Sequence, residues 1–176
     1  YTDTAEASLK DGTLISEEGK AKITAHGVLQ IKKLSAKDNA TVEADHDVTL
    51  NEAEAGMLAI SSGGSVNAGT LTATTGDAKV TAKTDATIGT LKAEVGSATV
   101  KATEGKLDVT TLNAKEHAAL TIGSAMEVTE VTAGTLAAES TAGSVKAGTL
   151  TAKTGEASVT AKTDATIGTL KAEVGS

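Results

Sequence analysis

The chain has 176 residues and a net charge of −7, and it contains no Pro, Cys, Trp, Phe or Arg. The absence of cysteine excludes disulfides and thiolate metal sites. Lysines are interspersed with Asp and Glu, so no basic patch for nucleic acid is expected. Because a globular core usually takes much of its buried area from aromatic rings, this composition favours a narrow core of stacked Val, Ile, Leu and Ala.

Segments that direct a protein to or across a membrane are not recognisable in the sequence. No apolar run approaches the roughly 18 residues that span a bilayer. The N-terminus also lacks a charged stretch followed by an apolar one. We therefore expect that, if the protein is exported, its targeting segment lies outside this sequence.

A long internal repeat relates residues 64–97 to residues 143–176, an offset of 79 residues. The two copies differ at four of 34 positions: Asn67/Lys146, Thr74/Lys153, Asp77/Glu156 and Lys79/Ser158. An offset of 79 residues is long for one supersecondary unit, so the repeat is expected to divide further.

Shorter units are marked by apolar anchor residues at spacings of 18 to 21 residues, four of them in the phrase Gly-Thr-Leu-x-Ala. In chain order the anchors are Leu14, Leu34, Ala53, Leu71, Leu91, Leu112, Val131, Leu150 and Leu170. Four short units therefore make one long repeat. This period is typical of a solenoid, in which neighbouring units bury one another's inward faces.

Within each unit, apolar and polar residues alternate in three short runs separated by turn residues. The first unit has its inward positions at Leu14, Ser16, Ala21, Ile23, Ala25, Leu29 and Ile31. Alternation with a period of two indicates a strand with one buried face. We therefore predict three strands per unit. The Thr and Gly content of the units argues against helices.

The predicted fold is an all-β, right-handed parallel β-helix with coils of about 19–20 residues and a roughly triangular cross-section. Residues 1–176 are predicted to form one domain of about eight to nine coils, some 40 Å long at about 4.8 Å per coil. Inward residues of one coil are Leu71, Ala73, Val80, Ala82 and Ile88. The four differences between the long copies all fall outside these positions, as packing constraint would produce.

The repeats resemble those of filamentous haemagglutinin-type exoproteins. The resemblance lies in Gly-Thr-Leu-Thr-Ala at Gly69–Ala73 and Gly148–Ala152, and in Asp-Ala-Thr-Ile-Gly at Asp85–Gly89 and Asp164–Gly168. Such proteins form long β-helical fibres, secreted by Gram-negative bacteria through a dedicated outer-membrane partner. The resemblance implies the structural shaft of a secreted or surface-attached adhesin, with host-cell or bacterial receptors as partners. It implies no catalytic residue, so we expect no enzyme activity.

An ice-binding surface is an alternative function, since it requires Thr-x-Thr ladders on a flat coil. Thr70/Thr72 and Thr149/Thr151 fit that pattern. The equivalent pairs in neighbouring units are Thr90/Lys92, Thr111/Asn113 and Thr169/Lys171. Because lysines interrupt the ladder, we interpret these threonines as ordinary exposed strand residues.

A carbohydrate-binding or carbohydrate-active β-helix, such as a lyase, hydrolase or tail spike, is the second alternative. Asp45, Asp47, Glu52 and Glu54 supply closely spaced carboxylates. Sugar sites need carboxylates at defined separations and usually aromatic platforms, which this chain lacks. No residue is therefore assigned a catalytic role.

Two histidines lie one unit apart at equivalent distances from their anchors, His26 after Leu14 and His46 after Leu34. Stacked at the strand spacing, they would lie roughly 5 Å apart, with two metal ligands at most unless Asp45 or Asp47 joined them. We interpret them as exposed turn residues and predict no metal and no cofactor. Asn39 to Thr41 matches the glycosylation pattern, which chance explains in a Thr-rich chain.

The end of the sequence falls inside a unit. Ser176 is equivalent to Ser97, after which the chain continues into another apolar run beginning at Ala98. We therefore expect this chain to be a fragment of a longer array. Without a cap, its final coil is expected to fray beyond Ile167 or to stack end to end on another copy.

Overall fold

The computed structural model describes residues 2–6, 12–17 and 19–174, which form eighteen strands numbered in chain order. The shorter strands are β1 Thr2–Glu6, β3 Lys20–Ala25, β5 Asn39–Ala44, β7 Met57–Ser62, β9 Ala78–Ala82, β11 Ala98–Ala102, β13 His117–Ile122, β15 Thr135–Ser140 and β17 Ala157–Ala161. The even-numbered strands are β2 Gly12–Ser16, β4 Leu29–Ala36, β6 Val48–Ala55, β8 Val66–Ala73, β10 Ala86–Ala93, β12 Leu107–Ala114, β14 Met126–Ala133, β16 Val145–Ala152 and β18 Ala165–Ala172.

The strands form two parallel sheets, and the chain passes from one sheet to the other at every turn. One sheet has the order β1-β3-β5-β7-β9-β11-β13-β15-β17, and the other runs from β2 to β18 through the even-numbered strands. Each strand therefore pairs with the strand one coil of about 20 residues before it and one coil after it. This arrangement is a parallel β-solenoid of about eight turns, which confirms the predicted fold.

Each coil contains two strands, so the prediction of three separate strands per coil is wrong. The third and first predicted segments of successive units are joined in one eight-residue strand. In β10 the burial alternates up to Ile88, then Gly89 and Thr90 both lie on the less buried side, and alternation resumes at Leu91. The three inward runs per coil were thus predicted correctly. The sequence pattern could not show that two of them share one continuous ladder.

The core is a stack of small aliphatic side chains that runs through the whole solenoid. All nine predicted anchor residues, from Leu14 to Leu170, lie in one ladder, each opposite the next. The five inward residues named for one coil are at most 1 % exposed: Leu71, Ala73, Val80, Ala82 and Ile88. Each coil is buried by its neighbours, as a solenoid requires.

The variation in coil length lies in the turns between strands, as expected for tolerated insertions. The turn after an even-numbered strand has a single residue at Gly56 and at Gly134, but four residues at 74–77, 94–97 and 153–156. At the one-residue turns the backbones approach closely. A Cβ atom on Gly56 or Gly134 would lie 2.4 Å from a carbonyl oxygen of the preceding coil, so only glycine fits.

Replacing Val80 by Asp tests the inward assignment of the core. Val80 is fully buried in β9, opposite Ile60 and Val100. An unpaired carboxylate there would lie in a dry apolar stack, so we expect a loss of about 4 kcal/mol or more in the free energy of unfolding. Chemical denaturation followed by circular dichroism measures this loss.

The matched control is Lys79→Ser, one residue earlier in the same strand. Lys79 is exposed, and its copy in the long repeat is already Ser158. We expect this change to alter stability by less than about 0.5 kcal/mol. Equal melting temperatures for the two variants would contradict the inward and outward assignment.

Hydrogen exchange compares two strands that have the same sequence. Residues 86–93 and 165–172 are identical, so their intrinsic exchange rates match. Leu91 of β10 is 0 % exposed, whereas its copy Leu170 of β18 is 47 % exposed. We expect strong amide protection from Leu71 to Val109 and a sharp fall beyond Ile167. Equal protection of the two strands would contradict this prediction.

Candidate functional site

The threonine ladder lies on the outer side of the even-numbered sheet. Thr70, Thr90 and Thr111 occupy the same position in three successive coils. Glu52 precedes this run in the ladder and Glu130 follows it. The stacking predicted for these threonines is confirmed, and it extends over three coils before a carboxylate interrupts it.

A second outward ladder runs beside the first, two residues further along each strand. It contains Thr72, Lys92 and Asn113 in successive coils, in the register predicted from the sequence. Lys92 also forms an ion pair with Glu94, 2.6 Å from nitrogen to oxygen. Charged side chains therefore interrupt both of these neighbouring threonine ladders. A surface interrupted in this way is unsuited to an ordered, ice-like layer of water.

The predicted stacking of His26 on His46 is wrong. The register places Ala25 opposite Ala44, so the residue that follows in the neighbouring coil is Asp45. His26 Nδ1 lies 3.0 Å from Asp45 Oδ2, and both side chains are mostly exposed. The spacing of 20 residues between the histidines exceeds the 19-residue step of this coil by one residue. That difference moves His46 out of register.

Three of the four candidate carboxylates of the sugar-enzyme alternative have separate structural contacts. Asp45 pairs with His26, and Asp47 accepts a hydrogen bond from the backbone of Ser65. Glu52 forms an ion pair with Lys33 of the preceding coil, at 3.5 Å. Their contacts are with neighbouring coils, and the exposed Glu54 lies on β6 beyond Glu52.

Aspartate side chains in the turns join successive coils, and sequence reasoning missed this role. Asp47 Oδ1 accepts a hydrogen bond from the N–H of Ser65, about one coil later in the chain, at 2.7 Å. Asp77 and Asp85 make the equivalent bonds at 2.8 and 2.7 Å. The three N–H donors are Ser65, Ser97 and Lys106.

A sequence signal for these aspartates exists, because each donor follows a glycine. The glycines are Gly64, Gly96 and Gly105. A Cβ atom on any of them would lie 2.2 to 2.4 Å from the same carboxylate oxygen. A turn aspartate with a Ser or Lys 18 to 21 residues later, directly after a glycine, therefore marks a bond between two coils.

Exposed ion pairs cross from coil to coil on both sheets. Lys22 pairs with Glu43 at 3.1 Å, and Lys146 pairs with Glu127 at 2.8 Å. The hydrogen bond between Lys146 and Glu127 raises the pKa of the lysine above its ordinary value. These groups are solvated, so each pair adds little to stability. They give the surface a mixture of positive and negative charges.

Shallow grooves on the surface are lined by aliphatic, polar and charged side chains. One groove has a volume of about 550 Å³ and lies along β4 and β6, between Gln30 and Asn51. A second groove of about 230 Å³ contains Asn39, the candidate glycosylation residue, beside Met57. Sugar sites usually contain an aromatic platform, and the only aromatic residue of the sequence is Tyr1.

The part of the chain that the structure describes contains no group of three or more His, Cys, Asp or Glu side chains placed to hold a metal ion. Nor does it contain a helix of the length and hydrophobicity needed to cross a membrane.

Comparison with known proteins gave no relative. No protein-family model matches the sequence, and neither the curated proteins nor the solved structures contain a match. The architecture of the chain is therefore established by its own repeats and strand pairing.

Replacing Asp85 by Ala tests the role of the turn aspartates. The change removes the acceptor for the Lys106 N–H, so we expect a loss of about 1 kcal/mol and a melting temperature roughly 2–4 °C lower. Differential scanning calorimetry measures the shift.

Asp108→Ala is the matched control. Asp108 is exposed on β12 and lies opposite Glu127, so its removal relieves like-charge repulsion and should not lower the melting temperature. If Asp85→Ala and the control Asp108→Ala had the same melting temperature, the hydrogen bond between the coils would have no energetic role.

Proposed function

We propose that this chain is the structural shaft of a filamentous adhesin, which holds a binding or effector region away from a cell surface. The observation that carries the proposal is the uninterrupted core. One ladder of apolar anchors joins every coil from β2 to β18. Such a stack is a rod with fixed length per coil, because each coil adds one strand spacing of about 4.8 Å.

The outer surface supports a mechanical role. The four positions at which the long copies differ lie outside the core: Asn67, Asp77 and Lys79 are exposed, and Thr74 is half-buried in a turn. Their replacements in the second copy change charge or size, as in Asn67 to Lys146. The surface therefore tolerates changes of charge and size at these positions. A shaft requires only a soluble surface.

The repeat phrases support a more specific proposal. Their similarity to filamentous haemagglutinin-type exoproteins suggests secretion by a Gram-negative bacterium through an outer-membrane partner. In that setting the adhesin would meet its receptors on host or bacterial cells. Fractionation of the producing cells with an antibody against this chain tests the location. Recovery only from the cytoplasm would contradict the proposal.

The internal duplication allows the length of the shaft to be changed without breaking a coil. Deletion of residues 64–142 joins Gly63 to Gly143, which reproduces the junction of Gly63 and Gly64. Insertion of a second copy of residues 64–142 after Ala142 lengthens the chain in the same way. Each change alters the rod by four coils, or about 19 Å. Small-angle X-ray scattering measures the rod lengths.

The functional test places each variant between a cell-surface anchor and a terminal peptide tag. For a shaft, we expect capture of the cells by tag-binding beads to increase with rod length. The control exchanges the outward residues of the first copy for those of the second, as Asn67→Lys, Thr74→Lys, Asp77→Glu and Lys79→Ser. It should leave capture unchanged. The proposal would be contradicted if capture did not depend on rod length. It would also be contradicted if the untagged chain bound cells and the exchange abolished that binding.

A further inference from the structure

The turns that follow the even-numbered strands lie on one side of the solenoid, here named the turn face, and their lengths repeat every four coils. After β4, β6, β8 and β10 the turns have two, one, four and four residues. After β12, β14 and β16 they again have two, one and four residues. In chain order these turns are residues 37–38, 56, 74–77, 94–97, 115–116, 134 and 153–156. Short and long turns therefore alternate along the turn face.

The long turns project further from the solenoid than the one-residue turns. Gly56 and Gly134 are buried, whereas Thr75 and Asp77 of the turn at 74–77 are exposed. In the turn at 153–156, three of the four residues are exposed. Because neighbouring coils are about 4.8 Å apart, each pair of short turns forms a recess about 10 Å wide.

An exposed valine stands at the same place in two turns that begin with Glu-Val. Val95 is 53 % exposed and Val174 is 65 % exposed, and neither belongs to the apolar core. The glutamate before each valine is ion-paired within its own chain, in the pairs Lys92–Glu94 and Lys171–Glu173. An aliphatic side chain beside a compensated charge suits a contact that excludes water.

The recess at Gly56 contains an apolar side chain that could receive such a valine. Met57 begins β7 directly after Gly56 and is 45 % exposed. Its side chain covers Gly76 of the next coil, where a Cβ atom would lie 2.5 Å from Met57 Cγ. In the second recess Thr135 covers Gly155 in the same way. Because thioether side chains adapt to irregular surfaces, Met57 is suited to contact a partner's side chain.

We propose that two copies of the chain associate side by side through their turn faces, parallel to each other and staggered by two coils. This shift of about 10 Å places the long turns of each copy opposite the short turns of the other. Val95 of one copy then meets Gly56 and Met57 of the second copy. Val95 of the second copy meets Gly134 of the first, and Val174 of the first meets Gly134 of the second.

The chemistry of the turns favours the parallel pair over an antiparallel one. An antiparallel pair that matched long turns with short ones would place Val95 opposite a charged turn, either Lys37-Asp38 or Lys115-Glu116. A charged turn loses its water when an aliphatic side chain covers it. In the parallel pair, Lys115-Glu116 of one copy instead meets Lys153 and Glu156 of the other, so opposite charges are available to both.

Sedimentation velocity of the full chain over a range of concentrations tests the association. We expect a dimer whose dissociation constant rises about tenfold with Val95→Asp, because a carboxylate replaces an apolar contact. The matched control is Val28→Asp. Val28 is 55 % exposed but lies in the turn after β3, at the other end of the odd-numbered strands. This change should leave the dissociation constant unchanged. A chain that stayed monomeric, or equal effects of the two changes, would overturn the proposal.

Single cysteines report the arrangement of the pair, since the chain has none of its own. We expect mixed disulfides when Val95→Cys is oxidised with Met57→Cys, and also when it is oxidised with Thr135→Cys. The parallel stagger contains both contacts, whereas any one antiparallel pair contains at most one of them, and end-to-end stacking contains neither. Mass spectrometry identifies the linked peptides.

The control partner for Val95→Cys is Glu104→Cys. Glu104 is exposed in the turn after β11, away from the turn face. It should give no mixed disulfide above the background of random collisions. The arrangement would be overturned if only one of the two expected disulfides formed, if neither formed, or if Glu104→Cys gave as much.

Discussion

The structure depends on one constraint: no coil can bury its own inward face. Each inward side chain finds its apolar neighbours one coil before and one coil after it, as Leu91 does between Leu71 and Leu112. The backbone hydrogen bonds of the parallel sheets run in the same direction as this packing. Core and sheet are therefore stabilised together by stacking. Because contacts reach about 20 residues along the chain, stability is shared between neighbours rather than concentrated in a central core.

The turns must return the chain to the same register whatever their length. A one-residue turn at Gly56 and a four-residue turn at residues 74–77 both deliver a strand to its place in the odd-numbered sheet. The shorter turn brings two backbones close enough to exclude a side chain. The aspartates of other turns, such as Asp77, bind the backbone of the next coil. Local chemistry in the turns therefore holds the spacing that the apolar core needs.

Sequence periodicity predicted the fold and the inward residues, because alternation reports which side of a strand is buried. It placed Val80 inside and Lys79 outside, and it found each anchor of the Leu71 ladder. It did not show that the runs around Ile88 and Leu91 form one strand. A bend inside a strand and a turn between strands interrupt alternation alike, and only hydrogen bonding distinguishes them.

The chemistry of the turns was less predictable than the core, because it depends on register to a single residue. His26 meets Asp45 instead of His46, since the local coil is one residue shorter than the spacing of the histidines. The hydrogen bonds of the buried Ser62 could not be predicted from the sequence for a related reason. Its inward position follows from alternation, yet its partners lie in turns whose backbone geometry the sequence does not specify. Glycine following a serine by two or three residues, as in Gly64 and Gly143, is the available signal.

The same constraint separates the parts of the chain that are free to vary from those that are not. An inward substitution disturbs two neighbouring coils, whereas an outward one meets solvent and exposed partners such as the Lys146 and Glu127 pair. The differences between the two long copies follow this division, as Asn67 and Lys146 illustrate. A surface free to vary between copies suits a function that depends on length and stiffness. Both properties come from the number of stacked coils, so a gene could tune them by adding or removing a four-coil unit.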